Sequence, residues 1–288
     1  MEAIIFALVA FVGWGTGDIF GTIASRKIGA YNTTLWNFIF RIALFTLFVP
    51  LGLNSLQNSI TPSLFIFNIF LGFFLFFGLV FLNQGLRVGN PSIVGAIGAS
   101  YILPVVVFST LFFGEKLAPT QITSIAILFI GLILTTLDIK EIQKRKVTLQ
   151  KGIIFAFIAM ICWGIFFTFI RIPAHQIGWF WTSYFAYLPV GIVFIATSIY
   201  SKKIIVPKFK GTFPIIIIAA VLLSLADFGY NFALSKGMAS IVGPISGSYP
   251  ILFVPLAYLV FKEPIKKQQI LGIVTTLIGI VLLSIFSI

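Results

Sequence analysis

Ten apolar runs follow one another through this chain, each about the length that a helix needs to cross a bilayer core about 30 Å thick. They cover residues 2–23, 31–52, 63–83, 92–113, 120–137, 152–171, 178–200, 213–232, 240–261 and 268–287, with only short polar links between them. With 59% of residues hydrophobic and 9% charged, the chain has too little polar material to cover a surface in water. The runs are unbroken rather than alternating in ten-residue segments, so they read as helices that satisfy their own backbones and not as strands of an outer-membrane barrel. The expectation is an all-α membrane protein of ten transmembrane helices. Its first run carries Glu2 in front, Asp18 inside and no basic leader, and reads as a retained helix rather than a signal peptide.

The net charge of +12 belongs to the links. Fifteen Lys and Arg, from Arg26 and Lys27 to Lys266 and Lys267, fall in alternate links; Lys116, Arg171 and Lys236 fall in the others, and Arg41, inside a run, completes the 19. By the positive-inside rule the first set is cytoplasmic and both termini are outside, in a multi-pass protein of the cell membrane. Such a distribution answers to a lipid bilayer, and no nucleic-acid partner is expected. One cysteine, Cys162, and one histidine, His175, leave no disulfide framework, thiolate cluster or zinc motif, so neither metal nor cofactor is expected. No convergent nucleophile, base or ligand set suggests an enzyme, and no phosphate-cradling loop suggests use of ATP.

The chain also repeats itself. Residues 85–101 align with 233–249 at an offset of 148, sharing the core Ser-Ile-Val-Gly-x-Ile-x-x-Ser-Tyr, and the same offset pairs Asn83 with Asn231, Glu115 with Glu263, Gln121 with Gln269 and Gly131 with Gly279. At an offset of 149, Trp14-Gly15 matches Trp163-Gly164 and Gly29 matches Gly178. The halves are 1–148 and 149–288. Five spans each is an odd number, so the second half enters the membrane inverted relative to the first. A two-fold axis in the membrane plane lets the halves exchange shapes and pass a central site from one side to the other, which is alternating access. The frame lies within one chain, so a monomer suffices and an oligomer stays open.

Each half carries an early Trp-Gly, a Pro-containing run into a Glu-bearing turn, and then Gln and spaced Gly: Trp14-Gly15, Pro104 with Phe113-Gly114-Glu115-Lys116-Leu117, Gln121 and Gly131, then Trp163-Gly164, Pro250 and Pro255 with Phe261-Lys262-Glu263-Pro264-Ile265, Gln268, Gly272 and Gly279. In these residues each half resembles the repeat of the EamA-type proteins of the drug/metabolite transporter superfamily. Lys262 departs from the pattern where the first half has Gly114. The resemblance covers essentially the whole chain. It implies a ten-helix basket of two inverted five-helix repeats, a substrate held between them, and a family that exports amino acids and other metabolites.

Candidate site residues follow from cost. An ionisable side chain at a helix centre in lipid costs at least about 2.5–3.5 kcal/mol and faces a cavity or a partner. Asp18, Arg41 and Asp227 are the clear cases, and the helical spacing of four sets Trp14 beside Asp18, Asn37 beside Arg41, and Asn231, with adjacent Tyr230, beside Asp227. An Asp next to an indole suits an ammonium group and an Arg fork suits a carboxylate, so together they suit an amino acid or similar small molecule. Tyr101, Trp163, Ser248 and Tyr249 complete the candidate substrate site, the last two in a polar segment between Pro244 and Pro250. Asp18 and Asp227 are the candidates for proton coupling. Other readings stand open: an Asp18–Arg41 structural pair, a solvent-wetted Asp227, cationic drugs or purine-like metabolites stacked on the aromatic residues, and a lipid-carrier flippase or accessory subunit. Glu115 and Glu263 read as helix-start anions of the fifth and tenth spans, and Arg171 and His175 as interface residues. The Gly13/Gly17/Gly21 stripe reads as close helix packing. The repeat partners of Asp18, Arg41 and Asp227 are Phe167, Val190 and Leu79. The scaffold repeats and the charges do not.

Overall fold

The computed structural model describes residues 1–53, 60–89, 91–137, 151–201, 204–208, 211–262 and 264–287. These form helices joined by short links, with no strand among the described residues: α1 (Glu2–Ile28), α2 (Ala30–Leu47), α3 (Val49–Gly52), α4 (Pro62–Val88), α5 (Pro91–Ala99), α6 (Ile102–Phe113), α7 (Pro119–Thr136), α8 (Lys151–Phe169), α9 (Arg171–Tyr200), α10 (Thr212–Lys236), α11 (Ala239–Gly247), α12 (Pro250–Phe261) and α13 (Lys267–Ile285). With α5 joined to α6 and α11 to α12, nine of these segments are long and apolar enough to cross a membrane. The chain is a multi-pass membrane protein.

The second expected span, α2, is not among the nine. Its sequence explains why: Asn32, Asn37 and Arg41 are all buried on it, and they are spent on protein rather than lipid. Asn32 Oδ1 accepts the Ile205 N–H over 2.7 Å, and Tyr31 shares a hydrogen bond of 2.6 Å with Ser198 on α9. The helix also stops earlier than expected, at Leu47. Pro50 lacks an N–H and its ring would press on the carbonyl four residues back, so the chain restarts as the single turn α3.

Two expected spans are each broken in the middle. Residues 92–113 divide into α5 and α6 at Ser100-Tyr101, and 240–261 divide into α11 and α12 at Ser248-Tyr249, the matching pair at the offset of 148. The repeat is visible at other joints too. Gly29 (φ 80°, ψ 155°) and Gly178 (φ 84°, ψ 163°) make the same left-handed corner, the first between α1 and α2 and the second inside α9. Gly114 and Lys262 end their helices at φ 63° and 60°. For Gly114 this is free; for Lys262 the left-handed backbone costs about 1–2 kcal/mol. Gln121 Oε1 accepts the Ala118 N–H at the start of α7, as Gln269 Oε1 accepts that of Lys266 at the start of α13, each over 2.9 Å.

The main helix pairs obey the same correspondence. Helix α1 packs on α10, and α8, its counterpart, packs on α4; α7 and α13 pack on each other. In every pair the partners run antiparallel. Along α7 and α13, Gln121 meets Phe286, Leu128 meets Gly279, Gly131 meets Thr276 and Thr135 meets Gly272. Such close approach needs glycine: a Cβ at Gly279 would stand 2.5 Å from the Leu128 nitrogen. Of the first-helix stripe, Gly13 and Gly17 lie against α10, whereas a Cβ at Gly21 would meet nothing within 4 Å.

Candidate functional site

Helices α1, α2, α8, α9 and α10 converge on one buried polar cluster. Its anchor is Asp227 on α10, whose two carboxylate oxygens have different partners. Trp14 Nε1 on α1 donates to Oδ1 over 2.8 Å, and Arg41 Nη2 on α2 donates to Oδ2. The Arg41 guanidinium also stacks 4.1 Å from the Tyr187 ring centroid on α9, which favours a desolvated cation. The intramembrane charge pair is therefore Arg41–Asp227, not Arg41–Asp18. Asp227 is buried and helix-bridging, which removes the reading of a solvent-wetted residue.

Asp18 stands one turn along α1 from Trp14 and is half-buried. The described residues give its carboxylate no hydrogen bond or ion pair. It lies within electrostatic reach of Arg41, Tyr101 and Tyr249. An intramembrane carboxylate with a cation nearby but no bonded partner is available for a ligand cation or a proton.

Around these charges stands a box of rings. The Trp14 centroid is 5.3 Å from that of Phe167, 5.4 Å from Tyr230 and 5.9 Å from Tyr249, while Tyr101 stacks on Phe167 at 4.9 Å. Tyr230 donates its hydroxyl to the Phe167 carbonyl over 2.7 Å, and Asn231 Nδ2 donates to Ser183 Oγ over 2.7 Å. Trp14, Phe166, Phe167, Ser183, Ala186, Tyr187, Asp227, Tyr230 and Asn231 line a cavity of about 10 Å³, room for about one water. The cavity is too small to hold a metabolite.

Other candidates lie at its margins. Asn37 is buried one turn before Arg41. Trp163 donates to the Leu75 carbonyl over 3.3 Å and touches Tyr101 edge-on, so it reaches the box only through that ring. Ser248 spends its hydroxyl on the Pro244 carbonyl of α11, the helix it follows, over 2.6 Å. Sequence reasoning missed Phe166, Phe167, Ser183, Ala186 and Tyr187 as lining residues; Phe167 alone carried a signal, as the repeat partner of Asp18. No group of three or more His, Cys, Asp or Glu able to hold a metal occurs among the described residues.

A second polar cluster sits at the far ends of the helices. Glu115, between α6 and α7, does not serve the start of its own following helix. Its carboxylate takes the Ala239 and Ser240 N–H groups at the start of α11, each over 2.9 Å, together with the Ser240 hydroxyl and Arg171 Nη1. Glu263, its repeat partner, lies outside the described residues.

Comparison with known proteins agrees with this architecture. A protein of known crystal structure shares the fold with a TM-score of 0.80, over 100% of this chain and 99% of its own, at 15% sequence identity. An uncharacterized protein of Methanocaldococcus jannaschii is 38% identical over 96 residues, which is 33% of this chain and 70% of that one. The model of the EamA-like transporter family matches twice, over residues 1–137 and 150–285. With two family repeats, many apolar helices and a charged centre between them, the chain belongs to the EamA-like transporter family.

Proposed function

We propose that this membrane transporter works by alternating access, as a secondary-active carrier that exports a small amine-bearing metabolite, an amino acid or a similar compound. Here α2 counts as a tenth span, the two five-helix halves are inverted, and the cell membrane holds the protein with both termini outside. Three features support the inverted frame: the antiparallel run of α7 and α13, which are repeat counterparts; the matched breaks at Tyr101 and Tyr249; and the sidedness of the Lys and Arg residues.

The observation that carries the substrate reading is Asp18, a carboxylate with no bonded partner among the described residues, beside a ring box. A ligand ammonium satisfies it by charge and the rings satisfy the ammonium by cation–π attraction. A second reading, a cationic compound without a carboxylate, is favoured by one specific fact: the Arg41 guanidinium is already matched by Asp227. Of the two proton-coupling candidates, Asp18 is the one not committed to a described partner.

Thermal unfolding of the purified protein tests this. A ligand at about 100 times its Kd stabilises by about 2.7 kcal/mol. Amino acids should raise the Tm of the native protein and leave Asp18→Asn unmoved. Equal shifts with amino-acid methyl esters would select the cationic reading. Stabilisation by carboxylates that lack an amine, or shifts retained in Asp18→Asn, would refute the site.

A further inference from the structure

Opening the box toward one side of the membrane requires that some contact at that end come apart, and one contact there ties three links of the chain together. Glu115 follows the left-handed turn at Gly114 and is only 8% exposed. Its two oxygens hold the first two N–H groups of α11, the Ser240 hydroxyl and the guanidinium of Arg171, which opens α9. Arg171 in turn stacks 5.3 Å from the Phe113 centroid on α6 and donates from Nε to His175 over 3.2 Å. The α6–α7, α8–α9 and α10–α11 links thus meet on a single carboxylate. Four charge-assisted bonds converge there, stronger than neutral ones and concentrated on one removable group.

We propose that Glu115 is the latch of the gate at this end of the molecule. The proposal rests on the alternating-access reading above. Helix α11 has nine residues, with its first N–H groups held by Glu115 and its other end at the Ser248-Tyr249 break. Tyr249 is a wall of the ring box, edge-on to Trp14. Releasing Glu115 frees the start of α11 to swing about that break and loosens the wall that Tyr249 forms there. While the latch is made, this face of the site stays shut. At the offset of 148, Glu263, Pro91 and Ser92 answer to Glu115, Ala239 and Ser240, but Pro91 has no N–H and Arg171 answers to Ile23, or to Thr22 at the offset of 149, so the sequence does not repeat the latch.

The test places a reporter cysteine at Ala186, which lines the cavity, in a Cys162→Ala background, and labels it with a membrane-impermeant sulfonated maleimide in right-side-out and inside-out vesicles. Glu115→Gln keeps an acceptor but loses the charge that Arg171 and the helix start require. It should raise the labelling rate at position 186 by about tenfold or more from the face bearing the α10–α11 link, and not from the other. Arg171→Met, which leaves the cap on α11 in place, should give a smaller increase from the same face and guards against misfolding of the first variant. Unchanged labelling from that face in a monodisperse variant overturns the latch. So does an equal rise from both faces, which marks a loosened fold. The latch is read from the ratio of variant to parent, so failure of the alternating-access reading shows separately, as a parent protein labelled from one face alone.

Discussion

Asp227 has a counterpart in the first half, and the comparison explains what the carboxylate does. Leu79 stands at the matching position, and there Trp163 turns its indole N–H to the Leu75 carbonyl on the neighbouring helix. On the other side the equivalent indole, Trp14, finds a carboxylate, and the carboxylate brings in Arg41. Removing one member of a buried pair leaves an uncompensated charge and costs about 3–5 kcal/mol, whereas replacing both with apolar side chains of similar volume is often neutral. Arg41→Met and Asp227→Leu should each lower stability strongly, and the double variant should recover most of the loss. Thermal unfolding in detergent measures the cycle; additive losses would mean that the two side chains do not depend on each other. The three intramembrane charges were legible in the sequence because each is costly in lipid. Which of them pair was not, since spacing along α1, α2 and α10 fixes a face of each helix and not the neighbour it meets. Tyr187 and Ser183 were invisible for another reason: rings and hydroxyls are common in apolar spans and carry no cost that marks them.

Helix pairing rests on a few backbone approaches that only glycine permits. Gly131 and Gly279 hold α7 against α13, where an added methyl would meet backbone nitrogen, while Gly21, in a stripe of the same small residues, faces open space. Gly131→Ala and Gly279→Ala should each lower the Tm by several degrees, and Gly21→Ala should not; thermal unfolding of the three variants decides it. At about 2–4 °C per kcal/mol for chains of about this size, a loss of about 2 kcal/mol is readily resolved. Equal tolerance at all three sites would remove the close-packing account of this pair. The helices themselves were legible from their apolar runs. Their breaks were legible only in part: the polar segment between Pro244 and Pro250 marked the second, at Ser248-Tyr249, whereas the first, at Ser100-Tyr101, became conspicuous only as its matching joint, since an unbroken apolar run looks the same whether or not the helix restarts within it. The polar α2 shows the opposite failure. Its buried Asn32 and Arg41 lower its apolarity because protein, rather than lipid, is their solvent.

The molecule as a whole combines a scaffold that repeats with a site that does not. Matched corners at Gly29 and Gly178, matched caps at Gln121 and Gln269 and matched helix pairs supply two near-equivalent halves. Asp18, Arg41 and Asp227 occur once each, on α1, α2 and α10. A symmetric frame can exchange shapes with little difference in energy, and a single charged centre then needs to bind only one substrate from either side. The cavity of about 10 Å³ is too small for a metabolite, so the proposed function requires it to widen. The most direct measurement is flux of labelled amino acids into proteoliposomes of the purified protein, with and without a pH gradient, beside Asp18→Asn. Gradient-stimulated uptake by the native protein, lost in a folded Asp18→Asn variant, is the result expected. Equal uptake by the variant, or no flux of any amine-bearing compound through demonstrably folded protein, would contradict it.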